Sequence, residues 1–418
     1  MMMRYTKLLT ILTTVLLLLT IPSAAGQPAQ SARSLGMADS YLLLSSNCEA
    51  ALLNPANLAL PGRTNYSIKL FSLSGRVNNN AFSLNDYNKY NGAYLTEADK
   101  QDILSKIPTD GLSLDFAGSA SLLSFSVGSF AFTSEVIGGG YGVIAKDPIE
   151  LVLMGNKMGE LVTADGSDAA GWSAVAIGVS YGRNILNRND LSLNAGASFK
   201  YLRGLAYFGI KDLSAEAVTL ATGFAGEGGL TMLQSQGGSG YAVDLGLAAT
   251  KGDTRYGLVI RNLLASINWN QQAEKTLYTF QFDNLTVDNA GEDTILVSDN
   301  QIIPINAFSS RPPLQIEVGA ARHFGRFLAT ASYRQGFVNS AFVSRKPRLG
   351  VGAEYPATGF LALRSGLAIG GSESFSTSIG TGFSLGPVHL DLAYAAAARI
   401  VPWGGRGGQF AISTAFQF

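Results

Sequence analysis

The side chains of this chain able to do ionic, acid–base or nucleophilic chemistry are few and scattered. Lys200, Asp244, Glu317, Arg334, Arg348, Glu354, Arg364 and Asp391 are single charges set among apolar or very small residues. Only two histidines occur, His323 and His389. A hydrolase would need a serine held against a histidine and a third group to orient it. His389 lies two residues before Asp391, with Ser376 and Ser378 on the preceding segment. Nothing marks either serine as a nucleophile, so no enzyme activity is expected. A structural zinc site needs a Cys/His cluster, and Cys48 is the sole cysteine. Gly138-Gly139-Gly140-Tyr141-Gly142 has the glycines of a phosphate cradle but precedes no evident helix. The acidic segment 283–299 lacks the ordered ligand spacing of a calcium loop. No cofactor and no metal are expected.

The eight charges share a position in a pattern. In FSTSIGTGFSL, Phe375, Thr377, Ile379, Thr381, Phe383 and Leu385 form one set, and Ser376, Ser378, Gly380, Gly382 and Ser384 the other. Strand side chains alternate faces, so one surface is apolar and the other tiny or polar. Leu390, Leu392 and Tyr394 alternate with His389 and Asp391, Ile316 and Val318 with Glu317, and Val243, Leu245 and Leu247 with Asp244. A sandwich would put Lys, Glu and Thr on its wet face. Gly, Ala and Ser with rare charges of both signs suit the inside of a closed barrel. On a lipid-facing surface each charge would cost about 2–4 kcal/mol near the midplane, so the alternation must turn all eight inward. There they line a polar substrate path or form a pairing network that rigidifies a filled lumen.

The composition agrees. Charged residues make up 14% of the 418, glycine contributes 48, and 30 basic residues balance 30 acidic ones. The balance gives no reason to expect a nucleic-acid partner. Residues 1–26 read as a secretory signal peptide: Arg4 and Lys7, an apolar run over 8–21, then small residues around Ala25. No other run is long and apolar enough for a membrane helix. Strands are expected near 64–75, 112–126, 130–137, 172–183, 191–207, 240–250, 255–269, 313–322, 327–337, 345–355, 360–370, 375–386, 387–398 and 407–418. The fold expected is therefore all-β, a transmembrane antiparallel barrel of about fourteen strands spanning 64–418. Short turns alternate with long loops at 76–111, 138–171, 208–239 and 270–312, the asymmetry of an outer-membrane barrel. Phe410, Ile412, Phe416 and Phe418 would face lipid on the last strand, which must close on the first. In the first long loop, Thr96 caps a helix carrying Ile103, Leu104 and Ile107, a candidate external apolar site.

Residues 27–63 are neither signal nor alternating strand. Asn47 reads as the cap of one short helix, and Asn54 as the cap of a turn starting at Pro55. The piece is too apolar to leave in water and is expected to lie in the barrel as a plug. Ser34-Leu35-Gly36-Met37, a short helix, then Asn54-Pro55-Ala56 directly before a barrel resembles the amino-terminal region of the FadL-type outer-membrane superfamily. That superfamily includes long-chain fatty-acid transporters and PorV-type proteins of a secretion system. Gly240-Tyr241-Ala242-Val243-Asp244-Leu245-Gly246, and Arg261-Asn262-Leu263 before Asn268-Trp269, resemble a less characterised branch of such barrels. The resemblance implies a fourteen-stranded barrel with an amino-terminal hatch at Asn54, Pro55 and Ala56, and passage of hydrophobic small molecules. It also implies an alternative, a barrel that holds a protein partner, and a purely structural barrel is a third reading. The expected surroundings are outer-membrane lipid, a hydrophobic ligand, and the assembly machinery, whose carboxyl-terminal signal the terminal Phe418 resembles.

Overall fold

The computed structural model describes residues 31–61, 65–286, 288–289, 295–340, 343–399 and 405–417. The signal-peptide segment 1–26, Phe418 and part of the acidic segment 283–299 lie outside the described residues. In chain order the strands are β1 (Tyr66–Asn79), β2 (Leu112–Ser121), β3 (Ser124–Val127), β4 (Phe130–Ile144), β5 (Leu161–Thr163), β6 (Asp168–Arg188), β7 (Leu191–Leu220), β8 (Gly223–Ser235), β9 (Gly237–Lys251) and β10 (Thr254–Gln271). They continue as β11 (Glu274–Leu285), β12 (Leu296–Pro304), β13 (Phe308–Ser310), β14 (Gln315–Phe324), β15 (Phe327–Gly336), β16 (Arg348–Pro356), β17 (Leu361–Gly370), β18 (Phe375–Leu385), β19 (Val388–Ala397) and β20 (Gly407–Gln417).

These strands build a closed barrel of 14 antiparallel strands. The second consists of β2 and β3, both paired to β1, with an interruption at Leu122-Leu123. From β4 the wall runs through β6, β7, β9, β10 and β14, then in chain order to β20. The seam is the β1–β20 pair, from Ser67↔Gln417 to Asn78↔Gly407. It satisfies the backbone edge of the carboxyl-terminal segment, which lipid would not. Phe410 is exposed on the outer face, and Ala411 and Ser413 are buried.

The outward positions are a belt of exposed apolar side chains, among them Leu245, Leu247, Val351, Leu363 and Ile379. Water would not tolerate so continuous a surface, and lipid does. Leu245→Arg is expected to lower stability by about 2–4 kcal/mol, read from the urea midpoint of the heat-modifiable band. A loss below about 0.5 kcal/mol would place this face outside the hydrocarbon.

One rim carries two-residue turns. Gly252 (φ 54°) and Gly386 (φ 61°) each occupy the first turn position, where a type II′ hairpin needs positive φ. The other rim carries the helices Leu84–Tyr90, Glu97–Lys106 and Lys146–Met154 and a projecting sheet. Two expectations are corrected here. The segments 208–239 and 270–312 are not loops. Beyond Gly204, β7 leaves β9 and pairs with β8, which pairs with β11, which pairs with β12. This sheet escaped notice because neither face is deeply buried, so its sequence lacks the sharp alternation of a wall strand. The helix cap is Thr96 as expected, with a reciprocal bond to Asp99. Nearby, burial alone would raise the Asp86 carboxyl; Lys106 and Ser83 outweigh it and hold it down at about 2.

Residues 31–60 lie inside the barrel. They form the helices Ala32–Gly36 and Asn47–Leu53 and the 3-10 turn Pro55–Ala59, almost wholly buried. The cap of the second helix is Ser46, not Asn47, which is its first residue and adopts φ 55°.

Candidate functional site

The 3-10 turn is built by its own residues. Asn54 Oδ1 accepts from Ala56 N at 3.1 Å, freeing Pro55 to start the turn without an N–H. The same Asn54 donates from Nδ2 to the Leu247 carbonyl of β9 at 3.1 Å, so the cap is also a tether. Asn57 Nδ2 donates to Leu42 O and Ser45 O, folding the plug back on itself. Against this turn the wall presents glycines. A Cβ on Gly196 would sit 2.3 Å from the Pro55 carbonyl carbon, and one on Gly246 2.0 Å from Asn54 Oδ1. At the opposite wall Gly36 packs flat on Gly380.

The eight sequence-predicted charges all lie in this lumen, in three groups. Lys200 pairs with Asp244, and Asp244 also accepts from Asn262 N at 2.9 Å. Glu354 faces Arg364 in register across β16 and β17, at 2.6 Å. Arg364 reaches Asp391 at 2.5 Å, and plug residue Arg33 clasps Glu354 with two bonds of 2.8 and 2.6 Å. Glu317 receives Arg334 at 3.1 Å and Arg261 at 2.8 Å. Arg334 and Arg348 are register neighbours, a like-charge pair that would repel. Plug residue Asp39 lies between them, 3.9 Å from Arg334 and 3.4 Å from Arg348. These eight charges are thus paired with one another and with the plug.

Sequence reading missed Arg33, Asp39, Arg261 and Glu135. Arg261 is hidden by a bulge. Asn262 takes φ 55°, the β9–β10 register shifts between Ile260 and Leu264, and two successive leucines, Leu263 and Leu264, face out. The signal was the Arg261-Asn262 pair itself, a positive-φ residue type directly after a charge in a strand. Trp269, eight residues on from Arg261, is fully buried against Gly204 and donates to Ser310 Oγ at 2.8 Å.

The hydrolase geometry is not assembled. His389 Nδ1 meets Ser384, 3.0 Å away, while Ser378 Oγ accepts from Ala38 N and Ser376 Oγ accepts from Arg348. Asp391 is engaged by Arg364. The candidate external site is also packed rather than open: Leu104 and Ile107 are buried, and Ile103 is half-buried.

A closed barrel with an apolar outer belt, paired inward charges and a helical plug defines a transmembrane outer-membrane β-barrel. A family of unknown function (DUF5723) matches residues 55–225. No curated protein matches the sequence. Among solved structures, the chain is similar to the P. putida toluene transporter TodX, at 12% identity over 94% of this chain and 99% of that one, with TM-score 0.51. It is also similar to the deltaS2S3 mutant of the TodX monoaromatic hydrocarbon channel (14% identity, 93% and 99% covered, TM-score 0.53) and to its deltaS2 mutant (13%, 94% and 99%, 0.52). At these identities the likeness is one of fold alone, a closed barrel that these solved structures share over nearly their whole length.

Proposed function

We propose that this barrel admits hydrophobic small molecules across the outer membrane, with residues 31–60 as a movable hatch centred on Asn54, Pro55 and Ala56. The observation that carries the reading is how the plug is held. Its tethers are ion pairs and hydrogen bonds to the wall, through Arg33, Asp39, Asn54 and the carbonyls of Ala51 and Leu53. Such contacts can be exchanged without breaking the wall's own ladder, so the plug can shift while the barrel stays closed. Beside it lies a small cavity whose lining includes Ile137, Trp172 and Leu202. The solved structures of similar fold include a toluene transporter and monoaromatic hydrocarbon channels, which supports the same class of cargo here.

The test uses the native thiol. Cys48 Sγ lies 3.5 Å from Ser67 Oγ on β1, so Ser67→Cys places two sulfurs within bonding reach and fastens plug to wall. Uptake of radiolabelled toluene and oleate by cells carrying the variant should fall at least tenfold on oxidation and return with reductant. Uptake indifferent to a proven cross-link would remove the hatch from the pathway.

A second reading, a barrel that binds a protein partner, draws on β12. All nine of its residues are exposed, and its one long pairing is to β11. A stable complex with an exported protein, together with no uptake in the cross-linking experiment, would favour it.

A further inference from the structure

The cavity beside the plug contains a feature that hydrocarbon cargo does not explain. Glu135 of β4 lines it and is 3% exposed, yet its Oε1 has no hydrogen-bond partner. Arg261 lines it too. Its Nη1 is held by Glu317 and Gln315 and its Nη2 by the Leu53 carbonyl, but the buried Nε–H is unpartnered. Two residues of one cavity lining therefore each carry a buried polar atom without a partner, an acceptor on Glu135 and a donor on Arg261, each at a cost of roughly 1–3 kcal/mol while unsatisfied. The other cation of the lining, Lys200, is matched by Asp244. The remaining wall includes Ile137, Trp172, Leu202 and Pro313, which suit an apolar body.

We infer that this cavity is a binding site for neutral amphiphiles with a hydroxyl head, aliphatic alcohols or phenols, and that Glu135 sets the head-group preference. A hydroxyl both donates and accepts, so it can serve Glu135 Oε1 and Arg261 Nε in turn. A hydrocarbon leaves both polar atoms unpaired. A carboxylate has no proton to give Glu135 and meets its charge in a low-dielectric wall. Selectivity of this kind comes from the groups that the wrong ligand leaves unsatisfied. The inference rests on the passage reading only in taking the cavity to be reachable.

The experiment is equilibrium dialysis of 1-octanol and octanoate against the full-length protein in lipid nanodiscs, with empty nanodiscs subtracted. Octanol is expected to bind at least tenfold more tightly than octanoate at pH 9. Glu135→Gln keeps an acceptor and removes the charge, so octanoate should gain and the ratio shrink to about twofold. Glu135→Leu should weaken octanol about tenfold, the worth of one hydrogen bond to a charged group. A heat-modifiable band verifies each variant, and Glu135→Gln, nearly isosteric, carries the test if Glu135→Leu fails to fold. Equal binding of the two probes, or a ratio unmoved by Glu135→Gln, overturns the site; it would mean that water alone satisfies Glu135. Head-group preference with uptake indifferent to the cross-link in the Ser67→Cys variant would keep this site and sink the passage reading. Cross-link-sensitive uptake without head-group preference would do the reverse.

Discussion

Glu317→Ala is expected to destabilise the barrel by about 3–5 kcal/mol, the loss typical of removing one partner from a buried ion pair. Glu317 is 1% exposed and is the shared carboxylate of Arg261 and Arg334, themselves nearly buried. Alanine leaves two guanidiniums in a low-dielectric lumen without the charge between them. Arg261 also holds the Leu53 carbonyl and Arg334 approaches Asp39, so the loss spreads to the plug. Glu317→Gln keeps an acceptor and should cost clearly less. The urea midpoint in lipid vesicles measures both. An alanine loss under about 1 kcal/mol would mean that water screens this group as it screens a surface pair.

The second large effect concerns the plug's seat. Gly196→Ala together with Gly246→Ala should open the lumen to water. Each new methyl would lie well inside contact distance, 2.3 Å from the Pro55 carbonyl carbon and 2.0 Å from Asn54 Oδ1. Something must move. The wall is fixed by ladders on both sides of β7 and β9, whereas the turn is held by a few polar bonds and by small apolar contacts such as Ala56 and Leu60 on Ala248. The turn therefore yields, at a strain of about 1–3 kcal/mol per site. Planar-bilayer recordings should show conductance where the parent shows little, and cells should become sensitive to large hydrophilic antibiotics. A double variant that folds and stays electrically silent would show that the plug tolerates the methyls and that these glycines are not its seat.

Both predictions concern contacts between plug and wall, and these were the least legible in the sequence. The fourteen wall strands were readable because barrel burial follows a period of two, a local property: Leu245 out and Asp244 in follow from adjacency alone. The plug's existence was readable from Asn54 before Pro55 and from its apolar content. One interruption defeated parity: across Leu122-Leu123 the inward set passes from Ser119 and Ser121 to Ser124 and Ser126. At Asn262 the inward set stays odd, Val259 and Arg261 before it and Ile267 and Trp269 after it, but the two adjacent outward leucines mask the alternation there. The projecting sheet was illegible for the opposite reason, since strands with two half-exposed faces carry little alternation.

Alternation, small inward residues and capping act over a few residues, so local sequence suffices to encode a lipid-facing barrel with a filled lumen. What the inward charges do depends on packing between distant segments. Arg33 meets Glu354 across 321 residues, and Asp39 separates two arginines that the register brings side by side. Such pairs exist only once closure brings distant strands around the plug, and no local period encodes which charge will stand opposite which. The same closure leaves Glu135 in the lining of a cavity with one oxygen unpaired.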